Sequence, residues 1–140
     1  MRTSRPIMLV EDDSIDAMTV KRAMKDLKVS NQLVHLANGE EAINYLHSED
    51  NHKPCVILLD LNMPKMDGFE FLKIAKSDAE LRQIPVIVLT TSREERDKVE
   101  SFQFCVAGYI VKPTDYKKFV DAIRTIDLYW TLSELPCCVA

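Results

Sequence analysis

Apolar runs and amphipathic stretches alternate five times along the chain. Pro6 to Val10 is apolar and leads into Glu11, Asp12 and Asp13. Ile15, Met18, Val20, Met24 and Leu27 then recur mostly at three- and four-residue spacings, which predicts a helix capped by Ser14. Leu33 to Ala37 predicts a second strand, and Glu40 to Leu46 a short helix with Ala42, Ile43 and Leu46 on one side. Cys55 to Leu59 is apolar up to Asp60, and Phe69 to Ala75 reads as the helix after that third strand. Pro85 to Thr90 predicts strand four, Arg93 to Phe104 a charged helix, and Gly108 to Lys112 strand five. Thr114 or Asp115 caps a last helix, from about Tyr116 towards Tyr129 or beyond.

Strands one, three and four are unbroken apolar runs, as expected where both faces of a sheet are covered. Strands alternating with helices imply a parallel sheet with right-handed crossovers. The expectation is an α/β, flavodoxin-like (βα)5 fold: a doubly wound five-stranded sheet in the order 2-1-3-4-5. A length of 140 residues suits one domain, and 46% apolar content with only three glycines suits a compact core.

In such a sheet, ligands bind beyond the carboxyl ends of the strands. Strand one delivers Glu11 and Asp12 there, strand three Asp60, strand four Thr90 and strand five Lys112. Three carboxylates at one edge repel each other unless a cation joins them, and hard oxygen ligands with room for water suit Mg2+ or Mn2+. Such an ion would draw a phosphoryl donor. Asp60 is then a plausible nucleophile, with Lys112 and the Thr90 hydroxyl able to contact phosphoryl oxygens. Each residue has a plainer reading alone: a turn residue, a helix cap, a solvated lysine, a strand-ending threonine. Their convergence on one edge favours chemistry.

Charge and cysteines add little. The 18 basic and 22 acidic side chains give −4, which argues against a nucleic-acid surface. No apolar stretch has the length of a membrane span, and MRTSRP lacks the apolar region of a signal peptide, so a cytoplasmic protein is expected. Cys55, Cys105, Cys137 and Cys138 form no CxxC pair, and His35, His47 and His52 are not spaced as ligands.

The acidic pair in "LVEDD", the aspartate in "LLDLNMPKMDG", the hydroxyl residue in "VIVLTTS" and the lysine of "GYIVKP" together resemble the receiver domains of two-component response regulators. The resemblance implies one receiver domain over residues 1–140, with 128–140 extending past a minimal receiver. It implies Asp60 as acceptor of a phosphoryl group from a sensor histidine kinase or phosphotransfer protein. Mg2+ (or Mn2+) would be held by Asp12 and Asp60, by Glu11 through water, and by the main-chain carbonyl of Asn62. Thr90, with Thr91 beside it, would move toward the phosphoryl group, and Tyr109 would rotate inward. Lys112 would pair with the phosphoryl group or, before transfer, with Asp60, and a cis bond would join it to Pro113. The readout surface would be helix four, strand five and helix five. "SDAELRQIPVIVLTTS" and "IDLYWTLSELP" further resemble the response regulators paired with phytochrome-type kinases. That implies a homodimer in which Leu128, Tyr129, Trp130 and Leu132 belong to the interface.

Rival classes fit less well. A haloacid-dehalogenase-type phosphatase wants a second acid two residues after its nucleophile, where this chain has Asn62. A flavodoxin-like FMN binder wants a hydroxyl- and glycine-rich loop after strand one, where this chain has "EDDS". A scaffold without phosphotransfer has no use for the acid set. Only about a dozen residues follow the last helix, too few for a helix-turn-helix unit, so contact with protein is the expected output.

Overall fold

The computed structural model describes residues 5–63, 66–91 and 93–132, excepting the side chains of 129–132. Its elements are β1 (Ile7–Val10), α1 (Ser14–Asp26), β2 (Leu33–Leu36), α2 (Gly39–His47), β3 (Val56–Leu59), α3 (Gly68–Ser77), a 3-10 turn (Leu81–Gln83), β4 (Val86–Thr90), α4 (Glu95–Gln103), β5 (Gly108–Val111) and α5 (Tyr116–Leu132). The strands form one sheet in the order β2-β1-β3-β4-β5, and every pairing is parallel. This is the doubly wound, flavodoxin-like arrangement expected from the sequence.

The apolar runs split by parity, because successive strand side chains point to opposite faces. Ile7, Leu9, Val56, Leu58, Ile87 and Leu89 pack on one face against Val20 of α1 and Phe119, Ile123 and Ile126 of α5. Met8, Val10, Ile57, Leu59, Val86 and Val88 pack on the other against Leu46 of α2 and Phe71 and Leu72 of α3. Strands β1, β3 and β4 are buried throughout, whereas the edge strands β2 and β5 are half-buried. The three central strands therefore end rigidly, and a packed core positions the residue at each of their carboxyl ends.

Helix boundaries differ from expectation where capping chemistry decides. Asp13, not Ser14, caps α1: its carboxylate accepts from the backbone N–H of Ile15 at 2.8 Å and of Asp16 at 3.2 Å. Ser14 is the first helical residue. Asn38 caps α2 through Glu41 N–H, and Asp67 caps α3 through Glu70 N–H. Of the two candidates before α5, Asp115 takes the role, accepting from Lys117 N–H at 2.8 Å. Helix α4 begins at Glu95 rather than Arg93, since Glu94 is still extended and offers no side-chain cap.

The 3-10 turn escaped the periodicity, being under one helical repeat long. Asp78 nucleates it by accepting from Glu80 and Leu81 N–H groups. Those bonds, first the one from Leu81, hold the Asp78 carboxyl below its ordinary range. A depressed carboxyl contributes stability above its unfolded pKa, and that contribution is lost as pH falls through the folded value. Asp78→Ala should therefore flatten the acid limb of the stability curve while leaving its shape near neutrality unchanged. Urea unfolding between about pH 5 and pH 2.5 checks this, and an unaltered acid limb would contradict it.

Candidate functional site

Glu11, Asp60 and Lys112 each lie one residue past a strand and are held by an extension of its ladder. Glu11 N–H donates to Leu36 carbonyl at 3.0 Å, Asp60 N–H to Val10 carbonyl at 3.0 Å, and Lys112 N–H to Thr90 carbonyl at 2.7 Å. The backbone thus locks all three at the carboxyl edge before any side chain is considered. Glu11, Asp60 and Lys112 are buried, and Asp12 is exposed. His35 on β2 adds a 2.7 Å bond from its ring Nε2 to the Glu11 carbonyl oxygen.

Glu11, Asp12 and Asp60 each place a carboxylate oxygen within 4.8 Å of the others. A six-coordinate Mg2+ at about 2.1 Å from its oxygens spaces them by about 3–4 Å, so small side-chain rotations close the set around such an ion. The donors are all hard oxygens, and the exposure of Asp12 leaves that side open to water. Burial first, and then the charge on Asp60, pushes Glu11 up to about 7 despite its bond to Lys112. A buried carboxylate cluster strained in this way is what a divalent cation relieves.

Lys112 corrects one expectation. Its ammonium group bonds Glu11 and, at 2.9 Å, Asp16 Oδ2 on α1, while Asp60 reaches it only through charge. Burial alone would lower the Lys112 pKa. The bonds from Glu11 and Asp16, with the Asp60 charge, outweigh it and raise the value. Glu11 and Asp16 therefore hold the ammonium group in place of Asp60. The expected cis bond to Pro113 is also absent: among the described residues no peptide bond is cis. The trans form is the intrinsically favoured isomer, and here Lys112 reaches its partners with it.

Thr90 is fully buried at the end of β4, and Thr91 is exposed just beyond it. Tyr109 on β5 is half-buried against the cluster that α2 and α3 cover. Asn62 is exposed in the loop after β3, and Pro113 is half-buried. That loop turns back sharply: Met66 adopts a left-handed φ of 52°, and Gly68 N–H donates to Leu61 carbonyl at 3.0 Å. Leu128, on α5, is 52% exposed at a distance from the acidic edge. The side chains of Tyr129, Trp130 and Leu132, with Pro64 and Cys137 and Cys138, lie outside the described residues.

Asp16 is the site-lining residue that sequence reasoning missed. An acid in the first turn of a helix is explained by the macrodipole, and that explanation conceals any other use. The usable signal was its spacing: one turn after Asp12, on the helix launched directly from the acidic edge.

A five-stranded parallel sheet in this order, with two acids, a third acid, a hydroxyl and a lysine at its carboxyl edge, defines a receiver. The family model for the response regulator receiver domain matches residues 7–124, and the chain belongs to that family. Response regulator Rcp1 of Synechocystis sp. is 36% identical over 128 residues, covering 89% of this chain and 87% of that protein. The crystal structure of the phosphorylated cyanobacterial phytochrome response regulator RcpA superposes with a TM-score of 0.88 at 35% identity, over 96% of this chain and 99% of that one. The Mn(2+)-bound form of Rcp1 superposes with a TM-score of 0.86 at 35% identity, over 94% and 99%.

Proposed function

We propose that Asp60 is the phosphoacceptor of a response regulator that takes its phosphoryl group from a phytochrome-type sensor histidine kinase or a phosphotransfer protein. The observation that carries this reading is the convergence of Glu11, Asp12 and Asp60 within 4.8 Å beside Lys112. An Asp60 carboxylate oxygen attacks the donor phosphorus, a P–O bond forms, and the P–N bond to the donor imidazole breaks. That imidazole leaves with its electron pair and is protonated. Lys112 and Thr90 receive the phosphoryl oxygens, the lysine as a charge-assisted donor.

Glu11, Asp12, Asp60 and the Asn62 carbonyl would hold Mg2+ or Mn2+, whose charge offsets that of the transferring group. The similarity to the phosphorylated RcpA and the Mn(2+)-bound Rcp1 supports both assignments. With Asn62 in place of a second acid, turnover stops at slow loss of the phosphoryl group rather than becoming phosphatase activity. Exposed Ile15 and Met18, on the first turns of α1 beside the site, offer an apolar contact for the donor protein. No helix among the described residues is long and apolar enough to cross a membrane. A cytoplasmic location belongs to this proposal through the sensor-kinase partner.

Phosphorylation adds nearly two negative charges beside Lys112 and Thr90, favouring the conformer with Thr90, and Thr91 next to it, drawn in and Tyr109 packed inside. The output surface of this proposal is α4, β5 and α5. It carries Val99 and Phe102 at 49% and 46% exposure on α4 and Leu128 at 52% on α5, an apolar set suited to a homodimer; Tyr129, Trp130 and Leu132 follow in sequence and are assigned to the same interface as part of this proposal. Phe102→Glu, which buries a charge in such an interface, should elute as a monomer in size exclusion while the parent elutes as a dimer. Trp130→Ala should weaken the same dimer. A monomeric parent would remove the dimer from the proposal.

The test of the phosphoacceptor reading is incubation with phosphoramidate or acetyl phosphate and Mg2+, followed by intact mass. One labile phosphoryl adduct that EDTA prevents is expected. A stable serine adduct, or none, would overturn it.

A further inference from the structure

The Asp16 carboxylate has no place in the proposed cation site, yet it takes one of the bonds of the buried lysine. Lys112 Nζ is bonded between two elements: Glu11 at the end of β1, and Asp16 on the first turn of α1 at 2.9 Å. The two carboxylates differ in environment. The Glu11 side chain is 2% exposed, whereas that of Asp16 is 38% exposed and keeps part of its hydration. Glu11 also belongs to the three-carboxylate cluster, so a cation there competes with Lys112 for it. Asp16 does not. When Glu11 is engaged elsewhere, Asp16 is the anion that still holds the lysine on the α1 side of the site.

We infer that Asp16 is a positioning residue that retains Lys112 in the unphosphorylated state and must release it when Asp60 carries a phosphoryl group. This rests on the phosphoacceptor reading above and specifies how its lysine is regulated. An ammonium offers three donors at one point charge, so it follows the strongest local negative potential. Before transfer that potential is shared by Glu11 and Asp16. Afterwards the phosphoryl group brings nearly two charges and several acceptor oxygens, and the singly charged, part-hydrated Asp16 loses the competition. Each state then has its own lysine pairing. The free energy of the Asp16 pair is subtracted from whatever drives the switch, because a ligand shifts a two-state equilibrium only by its differential interaction.

The alternative is that Asp16 does no more than favour the N-terminus of α1. Helix-dipole stabilisation would be lost in Asp16→Asn as well, but it would not alter affinity for a phosphoryl analogue through Lys112. Beryllofluoride with Mg2+, titrated calorimetrically at one pH and ionic strength, separates the two. Asp16→Asn should bind the analogue about two- to fivefold tighter than the parent, the upper part of the range for a partly exposed ion pair. Asp16→Glu, which keeps the anion, should remain near the parent.

In a Lys112→Met background, Asp16→Asn should bring no gain, which distinguishes release of the lysine from removal of a repelling charge. Equal affinity of parent and Asp16→Asn overturns the inference, as does the same gain with and without Lys112. If Lys112→Met takes up no analogue, the contrast of Asp16→Asn with Asp16→Glu decides alone. Failure of the parent itself to bind beryllofluoride overturns the phosphoacceptor reading and this inference with it. Uptake by the parent with no effect of Asp16→Asn overturns only the inference.

Discussion

Asp60→Asn should carry no phosphoryl adduct under conditions where the parent is stoichiometrically labelled by phosphoramidate and Mg2+. An amide oxygen is not a competent nucleophile toward phosphorus, and no other side chain occupies its place at the end of β3. The substitution preserves shape and should not cost stability. Asp60 is second only to burial among the effects that raise Glu11, so removing its charge relieves repulsion inside the cluster. Melting temperature of the metal-free variant should equal or exceed that of the parent while labelling is abolished. Mg2+ affinity should fall at the same time, because one of three hard anionic donors has become neutral. That pairing of outcomes matters, since lost labelling in an unfolded variant would say nothing about chemistry. A variant that melts like the parent and still takes up phosphate would place the acceptor elsewhere.

How the fold could be read from the chain, and where reading failed, has a common cause. Residues 7–10, 56–59 and 86–90 had to be doubly covered strands, because no one-sided element tolerates unbroken apolar runs of that kind. Once order 2-1-3-4-5 is adopted, the ends of the strands are neighbours, and Glu11, Asp60, Thr90 and Lys112 converge without any tertiary information. Side-chain direction is another matter. Lys112 can reach Asp60, Glu11 or Asp16 from the same backbone position. All three are carboxylates at one edge, and nothing in the sequence distinguishes the two that the ammonium meets, Glu11 and Asp16. Caps failed for the same reason: Ser14 and Asp13 are both good N-cap residues, and one residue of register decides between them. The short 3-10 turn at Leu81–Gln83 left no periodicity to find.

Gly68→Ala is expected to disturb stability and metal affinity together, because the added methyl meets the backbone that carries Asp60. Gly68 opens α3, and its φ is unexceptional, so the requirement is space rather than backbone freedom. A Cβ built there would lie 2.7 Å from the Leu61 Cα and 2.8 Å from the Asp60 carbonyl oxygen. Both obstacles are backbone, and neither can rotate away as a side-chain tip would. Either α3 withdraws and loses the bond from Gly68 N–H to Leu61 carbonyl, or the segment from Asp60 to Asn62 is displaced. The second course moves the proposed nucleophile and the proposed main-chain metal ligand together. Overpacking of this kind costs about 1–3 kcal/mol, and a rigid backbone contact belongs at the upper end. Mg2+ affinity should fall by about tenfold or more, since positioning errors of a few tenths of an ångström are poorly tolerated by an octahedral ion. Urea unfolding and Mg2+ titration of the same preparation read the two effects separately. Destabilisation with unchanged Mg2+ affinity would mean that α3 yields and the loop does not. An unchanged midpoint would show that the close approach of α3 to the Asp60 segment is not a feature of the folded protein.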